Sequence, residues 1–250
     1  MSLRSHVTMA LFSVALGLTC SAQAAPLTAG SPPSSAPTTF LDTKTGKIEG
    51  FMPDVAAEVA KRQKLDINFT AVPFSTLIQS VIAGKIDMIV AGMTPTPERE
   101  KRIAFSQPVT AFGPGLVVRD DNKKVYRSQQ DLKGDIVGTM AGTDYTQALI
   151  KSGIAKEVKV YDSPADMMRD LSLGRIAAGM NDYPIMKYQE KSGAYKGMHV
   201  VDGYKPEHIA PMAFGVKQGN DKLLADINTA LTAMKADGTL QKIKAKWGMP

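Results

Sequence analysis

The feature that most constrains this chain is a short cassette that occurs twice. Ala83-Gly84-Lys85-Ile86-Asp87 and Leu173-Gly174-Arg175-Ile176-Ala177 share one pattern: the end of an amphipathic stretch, a glycine suited to a left-handed helix end, a basic residue, and an isoleucine opening an apolar run. Before the first copy, Leu77, Ile78, Val81 and Ile82 fall on one face of a helix for which Ser75 is the expected cap, and Met88-Ile89-Val90 after it reads as a buried strand. Before the second, Ser163-Pro164 with Asp166 starts a helix, and residues 176–180 form the strand. A helix, turn and strand repeated in this way imply α/β architecture, and the duplication implies two similar lobes. A first helix is expected over residues 53–63, with Pro53 at its first position, Asp54 and Glu58 early, and Lys61, Arg62 and Lys64 late, the charge order that a helix dipole favours. Leu223, Leu224, Ile227, Ala230, Leu231 and Met234 give a long amphipathic helix near the C-terminus.

The N-terminus sets the compartment. Arg4 precedes an apolar run from Val7 to Thr19, about 13 residues against the roughly 20 that span a bilayer as a helix, and Ala22-Gln23-Ala24 then fits a cleavage signal. Residues 1–24 therefore read as a signal peptide and the expected location is the periplasm. Cys20 is the single cysteine and leaves with the signal, so the mature chain has neither a disulfide nor a thiol nucleophile and must be held by its cores. The net charge of +6 falls to +5 without Arg4. Basic residues are scattered rather than clustered with aromatics, so no nucleic-acid partner is expected.

Catalytic signatures are scarce, since no phosphate-binding loop, dinucleotide fingerprint, nucleophile elbow or zinc-protease motif is present. His199 and His208 stand nine apart, which is no metal-ligand spacing, and both read as surface or structural. No metal or cofactor is expected. The informative segment is Gly92-Met93-Thr94-Pro95-Thr96-Pro97-Glu98-Arg99, which follows a buried strand and opens a helix, with Thr96 as cap and Pro97 first. In open α/β sheets that edge is where ligands bind. Arg99 lies in the helix's first turn, where the dipole disfavours a cation, so a role beyond helix stability fits it. Residues 98–102 also read as a solvated charge run, and local pattern does not separate the two.

The strings GMTPTPEREKRIAFSQP (Gly92 to Pro108), GFMPDVAAEVAKR (Gly50 to Arg62), VPFSTLIQSVIAGKIDMIVAG (Val72 to Gly92), DLKGDIVGTMAGT (Asp131 to Thr143), YDSPADMMRDLSLGRIAAGMNDYP (Tyr161 to Pro184) and ALTAMKADGTLQKIKAKWG (Ala230 to Gly248) resemble, in this order and spacing, the family 3 solute-binding proteins of amino-acid importers. The resemblance implies a two-lobed periplasmic-binding-protein-like fold of type II. Residues 26–110 plus 214–250 would form one lobe and 115–210 the other, with crossings near 110–115 and 210–214. It implies a monomer that closes on a small amino-acid-like solute and delivers it to the membrane permease of an ABC importer. Carried over residue by residue, Arg99 would hold a ligand carboxylate. Thr94 and the Gly92 backbone would take the amino group, Phe74 would stack on the ligand, Thr143 would add to the carboxylate pocket, and Asp182 would pair with the ammonium. A zwitterion leaving water needs both ends held by such charge-assisted bonds.

Three places depart from the family pattern. Met52-Pro53 replaces the middle of a G-F-D-x-D helix start while sparing Asp54, a change that reads as structural. Serines and threonines occupy residues 32–39, where aromatic and acidic residues often line the cleft. Asp144 stands where a small or hydroxyl residue is usual; the favoured reading is a helix N-terminal acid pointing to solvent, and an inward Asp144 would imply a ligand with an extra cation or without a standard carboxylate. Tyr145 and Tyr183 could reach the cleft, although packing is the favoured reading for an aromatic beside a helix start, and Met167 and Met168 are expected to fill core or surface. The resemblance also covers exported dehydratases of cyclohexadienyl acids on the same fold, for which Asp144 and His208 are the nameable acids or bases; binding without chemistry is the favoured expectation.

Overall fold

A computed structural model describes residues 25–207 and 209–250. The expected leader with Cys20, and His208, lie outside these residues.

Two sheets, each with helices on both faces, carry the duplication seen in the sequence. The first runs in the order Ile67–Ala71, Leu27–Ser31, Met88–Met93, Ala210–Lys217, Ile103–Phe105; the second runs Glu157–Tyr161, Ile136–Met140, Ala178–Asp182, Pro114–Arg119, Met198–Val200. In both, the first three strands are parallel and the fourth is antiparallel to them. The duplication extends to single contacts. A Cβ on Gly30 would lie 2.6 Å from Ile86 Cδ1, and one on Gly138 would lie 2.5 Å from Ile176 Cδ1. The amide of Asp87 donates to Thr28 O and that of Ala177 to Ile136 O, both at 2.8 Å. In each lobe, therefore, the isoleucine of the repeated cassette folds onto a glycine in the second strand along the sheet order, and any side chain there would require that isoleucine to shift.

Each sheet buries two apolar clusters, one per face. Phe51, Val55, Val59, Phe214, Ile227 and Leu231 belong to one face of the first sheet, and Leu77, Val81, Ile86 and Ile89 to the other. Around the second sheet, Leu116, Leu132, Val137 and Leu149 oppose Val117, Met167, Leu171 and Ile176. The C-terminal helix expected from its apolar stripe spans Asp221–Ala236 and buries Leu223, Ile227, Ala230, Leu231 and Met234.

Several boundaries move for identifiable reasons. The first helix is Phe51–Gln63, two residues longer than expected, because the amides of Phe51 and Met52 donate to Pro37 O and Thr38 O at 2.9 and 3.0 Å. Those loop carbonyls satisfy the orphan N–H groups of the first turn, so Pro53 sits inside that turn at no cost. Ser75 does not cap its helix: Phe74–Thr76 form a 3-10 turn and Leu77–Ile82 the helix. The second cassette's strand is Ala178–Asp182 rather than 176–180, because Ile176 is spent on packing over Gly138. Asp54 is structural, accepting from Trp247 Nε1 at 2.7 Å and Lys246 Nζ at 2.6 Å and so tying the first helix to the last.

Thr110–Phe112 runs antiparallel to the start of Ala210–Lys217, with Ala210 opposite Phe112 and Met212 opposite Thr110. Thr110 leads through Pro114–Arg119 into the second sheet, and Ala210–Lys217 returns the chain to the first. The two connections between the lobes are thus hydrogen-bonded to each other, and Thr110 Oγ1 also donates to Pro250 O at 2.8 Å.

Candidate functional site

The site forms where the third strand of each sheet ends. Met88–Met93 runs out into Thr94-Pro95-Thr96, and Thr96 Oγ1 accepts from the Arg99 amide at 3.3 Å, capping the four-residue helix Pro97–Glu100 as its sequence predicts. The cap turns the Arg99 side chain back toward the strand end. There Arg99 Nη1 donates to Thr94 O at 2.6 Å, and Nη2 donates to Gly142 O at 2.8 Å, a carbonyl carried by the second sheet's lobe. Its guanidinium carbon lies 5.9 Å from the centre of the Phe74 ring.

Across the cleft, Ile136–Met140 passes through Ala141-Gly142 into helix Asp144–Ser152. Gly142 has φ of 78°, a conformation that favours glycine, and a Cβ there would lie 3.0 Å from Ser75 Cα. Thr143 caps the helix: its hydroxyl accepts from the Thr146 amide at 3.3 Å and donates to Met140 O at 3.0 Å. The Thr143 hydroxyl is therefore committed to its own helix, and what it leaves toward the cleft is backbone. Tyr145 is buried and donates to Asn181 Oδ1 at 3.2 Å; the same oxygen accepts from the Asp182 amide at 2.8 Å. Asn181 thus fixes the strand end that carries Asp182.

The electrostatics couple Arg99 with Asp182 and Asp144. Burial pulls the Arg99 guanidinium below its ordinary value, opposed by the charges of Asp144 and Asp182. Burial and then the neighbouring Asp144 push the Asp182 carboxyl up to about 7, while Arg99 draws it down. Burial and then Asp182 push the Tyr145 phenol well above its usual range. Asp144 is half-buried at the helix start, and its charge acts on Arg99, Asp182 and Tyr145.

Of the other residues singled out in the sequence, Thr94 is buried and donates its hydroxyl toward Met212 Sδ at 3.8 Å. Gly92 packs where a Cβ would lie 3.2 Å from Phe112 Cζ, against one of the lobe connections. Tyr183 is 41% exposed, with its ring edge over Gly115, where an added Cβ would lie 3.0 Å from Tyr183 Cδ2. His199 lies at the surface with Nδ1 2.8 Å from Asp120 Oδ1. Gly142 and Asn181 were missed by sequence reasoning, although both lie in the quoted strings beside Thr143 and Asp182. Among the described residues no group of three or more His, Cys, Asp or Glu side chains is placed to hold a metal. A groove of about 960 Å³ lies apart from Arg99, between Ala111–Pro114, Tyr183, Tyr188, Lys191 and the C-terminal residues Trp247–Pro250.

Two lobes are joined by two connections bonded side by side and bridged by Arg99 at matching strand ends. Residues 27–250 match the bacterial extracellular solute-binding proteins, family 3, and the chain belongs to that family. It is 30% identical over 202 residues, 80% of this chain and 82% of the relative, to the ABC transporter arginine-binding protein 1 of Escherichia coli strain K12. It is 29% identical to the L-cystine-binding protein TcyJ of the same strain, over 81% of this chain and 75% of the relative. Among solved structures, an ancestral arginine-binding protein bound to arginine superposes with a TM-score of 0.80 at 33% identity, covering 89% of this chain and 97% of its own. The ancestral amino-acid-binding protein AncCDT-1, a precursor of cyclohexadienyl dehydratase, gives 0.78 at 30% identity, covering 89% and 95%.

Proposed function

We propose that the protein is a periplasmic binding component that captures one amino acid between its lobes and delivers it to the permease of an ABC importer, acting as a monomer and without chemistry. The observation that carries this reading is Arg99, held at once by Thr94 O in one lobe and Gly142 O in the other, with Asp182 in electrostatic range. Arg99 holds the ligand carboxylate, assisted by backbone N–H groups at the start of helix Asp144–Ser152, where the helix dipole favours an anion. Asp182 takes the ammonium with help from the Gly92 and Thr94 backbone, and Phe74 covers the ligand. Contacts to both lobes favour the closed form, which the permease reads. The relatives' names supply the solute class, since those reported above bind arginine, cystine or amino acids.

Native mass spectrometry of freshly purified protein tests this by identifying the co-purified solute, with calorimetry against the amino acids to follow. An amino acid bound one to one is expected; a protein that binds none of them while folded overturns the reading. A second reading, elimination on a cyclohexadienyl acid, draws on the Asp182 carboxyl, whose pKa of about 7 suits a proton donor. Incubation with prephenate separates the two, because an enzyme returns a converted product and a binding protein returns the acid unchanged.

A further inference from the structure

We infer that Asn181 is a further solute-contacting residue, whose side-chain amide donates into the cleft and selects an amino acid with an oxygen acceptor on its side chain; the inference rests on the binding reading above. Asn181 is only 5% exposed and stands beside Asp182 at the end of strand Ala178–Asp182, opposite Gly115 where the chain leaves the lobe connection. Its Oδ1 accepts twice, from the Tyr145 hydroxyl at 3.2 Å and from the Asp182 amide at 2.8 Å. A backbone amide can only donate, so the atom facing it is the oxygen, and this fixes which way the Asn181 amide is turned. Tyr145 lies in the first turn of the helix that begins just beyond Gly142, whose carbonyl Arg99 reaches. Asn181 is thus held where the strand end meets the helix start.

Nδ2 is left over. It has no hydrogen-bond partner among the described residues, and it is not sealed in the protein as the unpartnered Thr38 Oγ1 and Thr39 Oγ1 are. A side chain this buried, with its oxygen committed twice and its N–H donors to no protein group, has those donors free for a molecule that enters. A solute's ammonium cannot accept a hydrogen bond, and its carboxylate has Arg99 and the amides of the helix start. The acceptor for Asn181 therefore comes from the solute's side chain. A solute without one displaces water from these N–H groups and returns nothing, which is how a site built to hydrogen-bond rejects an apolar isostere.

The test compares L-methionine with L-methionine sulfone, which adds acceptor oxygens but no charge and no donor, by calorimetry near pH 7.5, with L-glutamine and L-arginine as outer probes. In the wild-type protein the sulfone binds about fivefold tighter than methionine or better, the worth of one neutral hydrogen bond. Asn181→Asp keeps an oxygen for Tyr145 and the Asp182 amide and turns the free donor into an acceptor, so the order reverses; unchanged circular dichroism shows that the variant folds. In the wild-type protein the side-chain amide resonance of Asn181, assigned by its loss in Asn181→Asp, shifts when the sulfone saturates. Methionine binding as tightly as its sulfone, an order that survives Asn181→Asp, an unmoved resonance, or arginine binding in preference to glutamine overturns the inference and leaves the amino-acid reading standing. Failure of every amino acid to bind overturns both.

Discussion

The two lobes are built from one cassette yet end it differently. In the first, residues 32–50 intervene between the first strand and the first helix, and their carbonyls fill that helix's N-terminus through Phe51 and Met52. In the second, three residues make the same connection, so helix Asp144–Ser152 begins beside the Gly142 carbonyl that Arg99 reaches. The third strands diverge as well. Ile89 and Gly179 are the register partners of the paired glycines, and three residues beyond them stand Gly92 in one lobe and Asp182 in the other. In the proposed site one lobe supplies backbone and a reaching cation, Arg99, while the other supplies a helix start and the carboxylate of Asp182. Duplication fixed the frame, and charge was divided between the copies at the strand ends.

Removing the first lobe's cation breaks the comparison most severely. On the proposed binding role Arg99→Ala loses the counter-charge of the ligand carboxylate, and losing one partner of a buried charge pair costs on the order of 2–5 kcal/mol, or about 30-fold to several thousand-fold in affinity. Calorimetry on the folded variant checks this, and near wild-type affinity would remove Arg99 from the site.

The second lobe's carboxylate shows itself through pH. With the Asp182 pKa at about 7, a solute ammonium must displace a proton below that pH, so affinity falls as pH drops, by up to about tenfold per unit. In Asp182→Asn that slope disappears. The sign for the free fold is opposite. A carboxyl raised in the native state binds more protons there than in the unfolded chain, so Asp182 lowers stability as pH rises from about 4 to about 7, with the penalty fully present above that range. Asp182→Asn should therefore melt higher than wild type at pH 8, and a lower melting temperature there would contradict the burial argument.

The paired glycines sharpen the comparison in the cores. A methyl on Gly138 meets Ile176 Cδ1 at 2.5 Å with Met167 Cγ and Tyr161 Cε2 at 3.0 Å, whereas one on Gly30 meets Ile86 Cδ1 at 2.6 Å with its next neighbour at 3.2 Å. Both alanine variants overpack, which typically costs about 1–3 kcal/mol, and Gly138→Ala costs more. Denaturant unfolding that ranks them the other way would show the first lobe to be the less forgiving. The smallest effect belongs to Thr143→Ala. Its hydroxyl serves the helix, so about 1 kcal/mol of stability is lost as for other N-caps while affinity changes less than threefold.

Most of the frame was legible because it is local and periodic. The cassette glycines, the Thr96 cap and the stripe of Leu223, Ile227, Leu231 and Met234 announce themselves within a few residues. Arg99, Thr94, Phe74 and Asp182 were singled out through the family resemblance, Arg99 also through its awkward place in a first turn, and their roles in binding are proposals. Partners separated by long stretches of chain were not legible. That Gly142 O receives Arg99 depends on how two sheets meet, and that Ile176 is taken by Gly138 depends on how a helix end folds back onto a strand about 40 residues away, which no short window of sequence contains.

Thr110–Phe112 and the start of Ala210–Lys217 lie zipped together, and Thr110 is further pinned to the carbonyl of Pro250. Two separate tethers would allow the lobes to twist, slide and bend independently. A ladder resists sliding and stretching but bends across its width, which leaves the pair of lobes a single easy coordinate, like a door hung on two pins. A partner that senses this protein therefore needs to measure one angle.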